Sequence, residues 1–186
     1  MEIGFAMCGS FCTFEKVFPI MEQLSKGHNI TPIFSQSVRT IDSRFGTAQN
    51  HFHTVKTICG KEPLCTIAEV EPIGPKKLFD ALIIAPCTGN TLAKLAHSIA
   101  DGPVTMAAKS HLRNARPILV AVSTNDALAG AAENIGKLMA RKHYYFVPFR
   151  QDDPLNKPTS MVADFTKIPQ ALEAALEGRQ IQPILL

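Results

Sequence analysis

The chain has 186 residues, 46% of them hydrophobic, which is enough to form one domain with a sizeable core. Its formal net charge of +3 comes from basic residues spread along the chain, without a basic run interleaved with aromatic residues, so we exclude a nucleic-acid partner and favour a small anionic ligand. The acidic start Met1-Glu2 leads into only a short apolar segment, so we expect a cytoplasmic protein without a signal peptide or a membrane span.

Predicted strands and helices alternate along the chain. Apolar runs and helical periodicity predict strand 2–7, helix 14–25, strand 30–35, helix 47–59, strand 64–70, strand 80–85, helix 90–100, a short helix after Pro103, strand 117–122, helix 128–142, strand 144–148 and helix 167–177. This alternation predicts a three-layer, doubly wound (Rossmann-like) parallel sheet in a single α/β domain over residues 1–186. Two polar loops, Ile73–Lys77 and Arg150–Ser160, interrupt the pattern, and long polar loops are often functional.

The turn after the first predicted strand carries Gly9 and Ser10, just before a helix that Thr13 can cap. A phosphate group would be bound well there. Because the turn has one glycine and lacks the GxGxxG spacing, a mononucleotide is a better prediction than a dinucleotide. After the second strand, Ser35 and Ser37 supply two more hydroxyls on the same edge of the sheet.

The segment that begins with strand 80–85 predicts a second ligand-binding turn. The strand is continuously apolar, as in a parallel strand covered on both faces, and we expect Pro86 to end its pairing. The small-residue turn Cys87-Thr-Gly-Asn90 then runs directly into a helix. A ligand can approach the backbone of such a turn and meet unpaired amides at the helix N-terminus. Sites in open α/β sheets lie beyond the carboxyl ends of the strands, where this turn falls.

Residues 85–102, APCTGNTLAKLAHSIADG, resemble the APxxxNTxAKxAxGIADN segment of the homo-oligomeric flavin-containing cysteine decarboxylases. The resemblance implies a flavoprotein-type fold that binds FMN and assembles into trimers or dodecamers. It implies that the phosphate lies near Gly9, Ser10, Ser35 and Ser37. It also implies that the flavin ring and ribityl chain lie near Cys87, Thr88 and Asn90.

More narrowly, the chain is similar to the family of dipicolinate synthase B subunits. The similarity is carried by residues 3–14 (IGFAMCGSFCTF), 42–48 (DSRFGTA), 85–114 and 149–161. It implies an oxidoreductase-type synthase component that acts in sporulation with a dehydrogenase-like A subunit of dipicolinate synthase, the expected carrier of any NAD(P). The two components together would form dipicolinate, which is pyridine-2,6-dicarboxylate, from a cyclic dihydro or hydroxytetrahydro precursor.

Departures from the decarboxylase pattern leave three functions open. A proline, Pro72, falls near the position of the decarboxylase histidine, and a proline cannot transfer protons. The substrate clamp resembling PxMNxxMW reads Val122–Leu128 here and retains only Asn125. The chain is therefore an FMN-binding synthase subunit, a flavin-free scaffold or regulatory subunit, or, disfavoured by these departures, an independent flavin decarboxylase.

A dicarboxylate substrate requires cationic side chains, and arginine binds a carboxylate through two parallel hydrogen bonds. Arg150, with Lys157 in the same loop, is the predicted carboxylate clamp, and Asn125 is a further substrate contact. The alternative is that Arg150 simply begins a solvated loop. No residue is assigned as catalytic acid or base.

The sequence predicts no metal site. His51 and His53 are two residues apart on a predicted helix and therefore point away from each other. The five cysteines are an odd number without CxxC spacing, which indicates reduced thiols. Of these, Cys8 and Cys87 lie at strand ends, where a helix N-terminus can lower the pKa of a thiol and make it reactive. More commonly, a cysteine at such a position is a small apolar side chain packed in the core.

Overall fold

Parallel strands form the centre of the sheet in the computed structural model, which describes all residues, 1–186. They pair in the order β2-β1-β3-β4-β5. Their bounds are β1 Glu2–Met7, β2 Asn29–Phe34, β3 Ala81–Cys87, β4 Ile118–Thr124 and β5 Tyr144–Phe146. Every residue of β3 is buried, as expected for a strand covered on both faces. The predicted doubly wound α/β fold is confirmed.

An antiparallel hairpin extends the sheet beyond the end of β4. Its strands are β6 (Phe149–Gln151) and β7 (Met161–Ala163), and β7 pairs with Ser123 and Thr124 of β4. Arg150 and Gln151, the first residues of the stretch 150–160 that was predicted as a loop, are therefore paired with β7. This pairing brings the loop to the carboxyl edge of the central strands.

Helices cover both faces of the sheet. Their bounds are α1 Phe14–Ser25, α2 Gln36–Thr40, α3 Ala48–Cys59, α4 Ile67–Val70, α5 Gly89–Ala96, α6 Pro103–Leu112, α7 Ala132–Met139 and α8 Ile168–Leu176. Short 3-10 turns occupy Phe11–Thr13, Glu71–Ile73 and Phe165–Lys167. Helix α1 packs against α3, and α5 packs against α6 and α7. One hydrophobic cluster joins the layers from Ile3 to Leu172.

The predicted strand 64–70 is wrong, because most of this segment forms helix α4. The Thr66 hydroxyl accepts a hydrogen bond from the Glu69 amide, and the Glu69 carboxylate accepts hydrogen bonds from the amides of Cys65 and Thr66 at 2.8 Å each. This capping box starts a helix in an apolar sequence that also has strand character. Only Leu64 forms a bridge to the sheet, beside Ile33.

Strand β3 does not end at Pro86. Its pairing with β4 is interrupted after Ile84 and resumes where Cys87 pairs with Val122. A proline has no N–H to donate, but an irregularity in the ladder accommodates it. The Pro86 carbonyl instead accepts a hydrogen bond from the Cys8 amide at 3.2 Å. The ligand-binding turn therefore begins at Thr88.

Two predicted helices are shorter in the structure. The predicted helix 90–100 ends at Ala96, where the Arg141 guanidinium donates hydrogen bonds to the carbonyls of Leu95 (3.0 Å) and Ala96 (2.6 Å). The predicted helix 128–142 is limited to α7. None of the helices has the combination of length and apolar character that crossing a bilayer requires.

Candidate functional site

A cavity of about 810 Å³ opens at the carboxyl ends of β1, β3 and β4. Its walls are residues 9–13, 43–45, 88–90, 123–126, 152, 157 and 160–162. A second cavity of about 160 Å³ shares Gly9, Thr88 and Asn90 with the first. We call them the large and the small cavity. The large one has the size of a typical small-molecule site.

Backbone amides without partners lie where the two cavities meet. The N–H groups of Gly9 and Thr88 donate no hydrogen bond within the chain. The Thr88 hydroxyl caps α5, since it accepts a hydrogen bond from the Thr91 amide at 3.4 Å. The side chain of Asn90 is exposed and has no hydrogen-bond partner. These groups are available to an anionic or polar ligand.

The small cavity brings together three of the residues predicted to contact a phosphate. Gly9, Ser35 and Ser37 line it, and a Cβ on Gly9 would lie 3.2 Å from Ser37 Cβ. The sequence prediction missed Lys94 and Asp101, which also line it. Lys94 Nζ lies 2.9 Å from Asp101 Oδ2, and this hydrogen bond lowers the pKa of the Asp101 carboxyl.

Ser10 lies in the large cavity and not with Ser35 and Ser37. Its hydroxyl is 2.7 Å from the hydroxyl of Ser123. The predicted capping role of Thr13 is also wrong: its hydroxyl donates to the Ser10 carbonyl at 2.8 Å, because a 3-10 turn precedes α1. Ser123 was not predicted as a site residue.

Asp126 places a carboxylate beside the first residue of α5. The Thr124 hydroxyl donates a hydrogen bond to this carboxylate. A Cβ at Gly89 would lie 2.7 Å from Asp126 Oδ1 and 2.8 Å from Thr124 Oγ1, so only glycine leaves space for this contact. A carboxylate at a helix N-terminus interacts favourably with the helix dipole. Asp126 was not predicted, although it follows the predicted residue Asn125.

The loop between β6 and β7 supplies Asp152, Lys157 and Ser160 to the large cavity. Lys157 Nζ is 3.6 Å from Asp152 Oδ2. Burial raises the pKa of the Asp152 carboxyl, but hydrogen bonds from Ser160 and Lys157 outweigh burial and hold the pKa below its ordinary value. The carbonyl of Asn125 accepts a hydrogen bond from the Thr159 hydroxyl at 2.7 Å, which fixes the loop to the end of β4.

The structure brings Asn125 and Lys157 to the cavity but not Arg150. Arg150 lies opposite Val162 in the hairpin, is exposed and lines neither cavity. Its neighbour Phe149 is buried, and successive side chains of a strand point to opposite faces. Strand alternation therefore directs Arg150 away from the core.

An arginine that sequence reasoning missed lines the same cavity as this loop. Arg44 and Phe45 line the large cavity from the segment between α2 and α3. Arg44 Cζ lies 4.8 Å from the centroid of the Phe45 ring. Residues 42–48, DSRFGTA, carry part of the family similarity, and this similarity is the one sequence feature that indicates a role for Arg44 and Phe45.

His51 on α3 lies close to this segment, since a Cβ at Gly46 would be 2.7 Å from its Cε1. It is 4% exposed and packs against the rings of Phe11 and Phe14. Burial lowers the pKa of His51, although the charge of Asp42 opposes this shift, and Nε2 has no hydrogen-bond partner. No group of three or more His, Cys, Asp or Glu side chains is placed to hold a metal ion.

The two cysteines at the strand ends are buried. Cys8 lines the small cavity and accepts a hydrogen bond from the Thr91 hydroxyl at 3.3 Å, whereas Cys87 lines neither cavity. Hydrogen bonding with the Cys87 side chain lowers the pKa of the Cys8 thiol, while burial raises the pKa of the Cys87 thiol. Cys87 therefore packs within the sheet layer.

Comparisons with known proteins agree with this architecture. The family model described as Flavoprotein matches residues 1–171. The B subunit of dipicolinate synthase from Bacillus subtilis (strain 168) is 44% identical over 186 residues, which are 100% of this chain and 93% of the relative. The crystal structure of the dipicolinate synthase B subunit from Bacillus halodurans superposes with a TM-score of 0.91 at 43% identity, covering 99% of this chain and 95% of that one.

More distant structures share the fold. The FMN-dependent cysteine decarboxylase SpaF has a TM-score of 0.70 at 21% identity, covering 95% of both chains. A dodecameric FMN-dependent UbiX-like decarboxylase from Escherichia coli O157:H7 has a TM-score of 0.62 at 19% identity, covering 80% of both chains.

Proposed function

The chain belongs to the Flavoprotein family, and from this premise we propose that it is the B subunit of a dipicolinate synthase that acts in sporulation. In this proposal it forms pyridine-2,6-dicarboxylate together with a dehydrogenase-like A subunit. The observation that carries the proposal is the 44% identity to the B subunit of a dipicolinate synthase, which extends over the whole chain. The superposition on a second such protein, with a TM-score of 0.91, supports it.

The residues around the two cavities fit a flavin mononucleotide. The unpaired N–H groups of Gly9 and Thr88 and the hydroxyls of Ser35 and Ser37 form a cradle for the phosphate. The large cavity has room for a ring system, and Asn90 lies where the two cavities meet. FMN-dependent enzymes among the structural neighbours support this choice of flavin.

When bound, FMN supplies a two-electron acceptor for the oxidation of a dihydro ring. The chain itself contributes binding and proton transfer. The Thr124 hydroxyl holds the Asp126 carboxylate at the wall of the large cavity, where it can accept a proton from the ring as the ring becomes aromatic. Asn125 and Lys157 line the same cavity and would contact the substrate there.

Self-association is part of the proposal. A structural neighbour with the same fold is dodecameric. The large cavity is an open crevice bordered by the exposed side chains of Arg44 and Phe45, so a second copy of the chain can close it.

Reconstitution with the dehydrogenase-like partner tests the function. The purified chain, the purified partner and a mixture of the two are given the cyclic precursor with a nicotinamide acceptor, and dipicolinate is measured by terbium luminescence. We expect product to form rapidly only when both proteins are present. An equal rate with only the dehydrogenase-like partner would contradict the proposal.

An FMN titration followed by flavin fluorescence tests the cofactor separately. We expect saturable quenching by the purified chain. No quenching, with or without the dehydrogenase-like partner, in a synthase that remains active would instead favour the flavin-free scaffold function.

A further inference from the structure

The large cavity has four charged side chains in its walls, and three of them have partners. Lys157 pairs with Asp152 at 3.6 Å, and Asp126 accepts a hydrogen bond from Thr124. Arg44 makes no hydrogen bond and no salt bridge with any residue of the chain. Arg44 is therefore the unpaired cation of the cavity.

The backbone that carries Arg44 is fixed by local hydrogen bonds. The amide of Ser43 donates to the Gly46 carbonyl at 3.0 Å, and the amide of Gly46 donates to the Ser43 carbonyl at 3.1 Å. The nearest acid in the sequence, Asp42, accepts a hydrogen bond from the Ala48 amide at 2.9 Å at the start of α3. Asp42 is thus engaged with the helix and does not pair with Arg44.

The guanidinium itself is supported by an aromatic face. Its central carbon lies 4.8 Å from the centroid of the Phe45 ring, and Phe45 is 43% exposed. A cation over a ring is held in position without losing its hydrogen-bond donors. The N–H groups of Arg44 therefore remain free to bind a ligand.

Charge and shape together define the ligand. A planar guanidinium binds a carboxylate through two parallel hydrogen bonds, which a lysine cannot reproduce. The hairpin loop offers Lys157 to the same cavity, and the charge of Lys157 is shared with Asp152. We infer that Arg44 binds one carboxylate of a ring dicarboxylate in the large cavity, where Lys157 is available to the other, so that a monocarboxylate can engage only one of the two cations. This inference rests on the proposed function and names the residue that gives the site its substrate class.

Calorimetric titration of the full-length chain tests the inference, with pyridine-2,6-dicarboxylate as the probe and pyridine-2-carboxylate as the comparison. The variants are Arg44→Met, Arg44→Lys and the matched control Arg39→Met, which alters an exposed arginine on α2 outside both cavities. We expect Arg44→Met to weaken dicarboxylate binding at least about tenfold, because a charge-assisted hydrogen-bonded pair is lost. Arg44→Lys should restore binding only in part, and Arg39→Met should bind as the unchanged chain does.

Two readouts separate this inference from the proposed function. Thermal unfolding should change little in Arg44→Met, because the side chain is exposed and makes no hydrogen bond or salt bridge. FMN affinity should change much less than dicarboxylate affinity, because the groups proposed to hold the phosphate line the small cavity. Equal dicarboxylate affinity in Arg44→Met and the unchanged chain, or no dicarboxylate binding by the unchanged chain, overturns the role of Arg44. Failure of FMN to bind while the Arg44 effect persists contradicts only the cofactor part of the proposed function.

Discussion

The hydroxyl oxygens of Ser10 and Ser123 are 2.7 Å apart, which joins the turn after β1 to the end of β4. Strand β3 lies between these two strands in the sheet, so the hydrogen bond crosses its carboxyl end. Ser123 is buried, and both residues line the large cavity. The Ser10 hydroxyl therefore holds two walls of the cavity together, while the groups proposed to bind phosphate lie around the small cavity.

This separation predicts different effects for two serine substitutions. Ser37→Asp should lower FMN affinity at least about tenfold, because its carboxylate would stand against the phosphate. Ser10→Ala removes one hydroxyl-hydroxyl hydrogen bond, so we expect a stability loss of about 1 kcal/mol and little change in FMN affinity. Fluorescence quenching and urea unfolding measure the two effects. Unchanged affinity in Ser37→Asp would remove the small cavity as the phosphate site.

The strand and turn positions of the site could be predicted from the sequence. Residues at the carboxyl ends of parallel strands share one edge of the sheet, and this rule correctly grouped Gly9, Ser35 and Asn90 around the cavities. Arg44 could not be found this way, because its position depends on an irregular segment that folds back onto a helix. That segment is held by the hydrogen bonds between Ser43 and Gly46 and by the close approach of Gly46 to His51, which no helix or strand periodicity shows.

The incorrect fold predictions have local causes. The stretch 64–70 has alternating and apolar residues typical of a strand, but the reciprocal hydrogen bonds of Thr66 and Glu69 favour a helix. The sequence predicts Arg150 as a carboxylate clamp in a polar loop, because arginine suits a carboxylate. Pairing of β6 with β7 imposes strand alternation on it, and the side chain is exposed outside the cavity.

Gly46 should tolerate no side chain. Its φ is +132°, and a Cβ there would lie 2.7 Å from Cε1 of the buried His51. Gly46→Ala should therefore lower the free energy of unfolding by about 2–3 kcal/mol and weaken dicarboxylate binding by displacing Arg44. Gly60→Ala is the matched control, since Gly60 also has a positive φ of +65° but nothing lies within 4 Å of its Cβ position. We expect the control to cost about 1 kcal/mol and to leave binding unchanged. Similar losses in both variants would contradict a specific role for the His51 contact.

His111 should make the chain less stable in mild acid. The residue is fully buried on α6, its Nε2 lies 3.1 Å from the Pro117 carbonyl oxygen, and Nδ1 has no partner. Burial lowers its pKa from 6.5 to about 4. The folded chain therefore binds this proton more weakly than the unfolded chain, so the stability is complete above pH about 6.5 and is lost as the pH falls towards about 4.

The loss attributable to His111 between pH 7 and pH 4 should reach about 3 kcal/mol. Urea unfolding at several pH values measures it. His111→Gln keeps a donor for the Pro117 carbonyl but cannot be protonated, so the variant should show a flatter pH dependence over this window. An unchanged dependence would show that other groups cause the acid sensitivity.

Asp126 should be required for turnover but not for binding. Its carboxylate lies in the wall of the large cavity, oriented by the Thr124 hydroxyl and by the close approach that Gly89 permits. If it accepts the ring proton, Asp126→Asn should lower the rate of the reconstituted synthase by about 10²-fold or more, since an amide cannot accept that proton. FMN and dicarboxylate affinity should change by less than about threefold.

A second variant distinguishes proton transfer from mere positioning. Gly89→Ala leaves the carboxylate chemically intact but forces it away from a Cβ that would lie 2.7 Å from Oδ1. We expect this variant to lose less turnover than Asp126→Asn, because the displaced carboxylate can still accept a proton. The matched control is Gly136→Ala on α7, where nothing lies within 4 Å of the Cβ position and alanine favours the helix. A synthase with Asp126→Asn that turns over normally would exclude Asp126 as the proton acceptor.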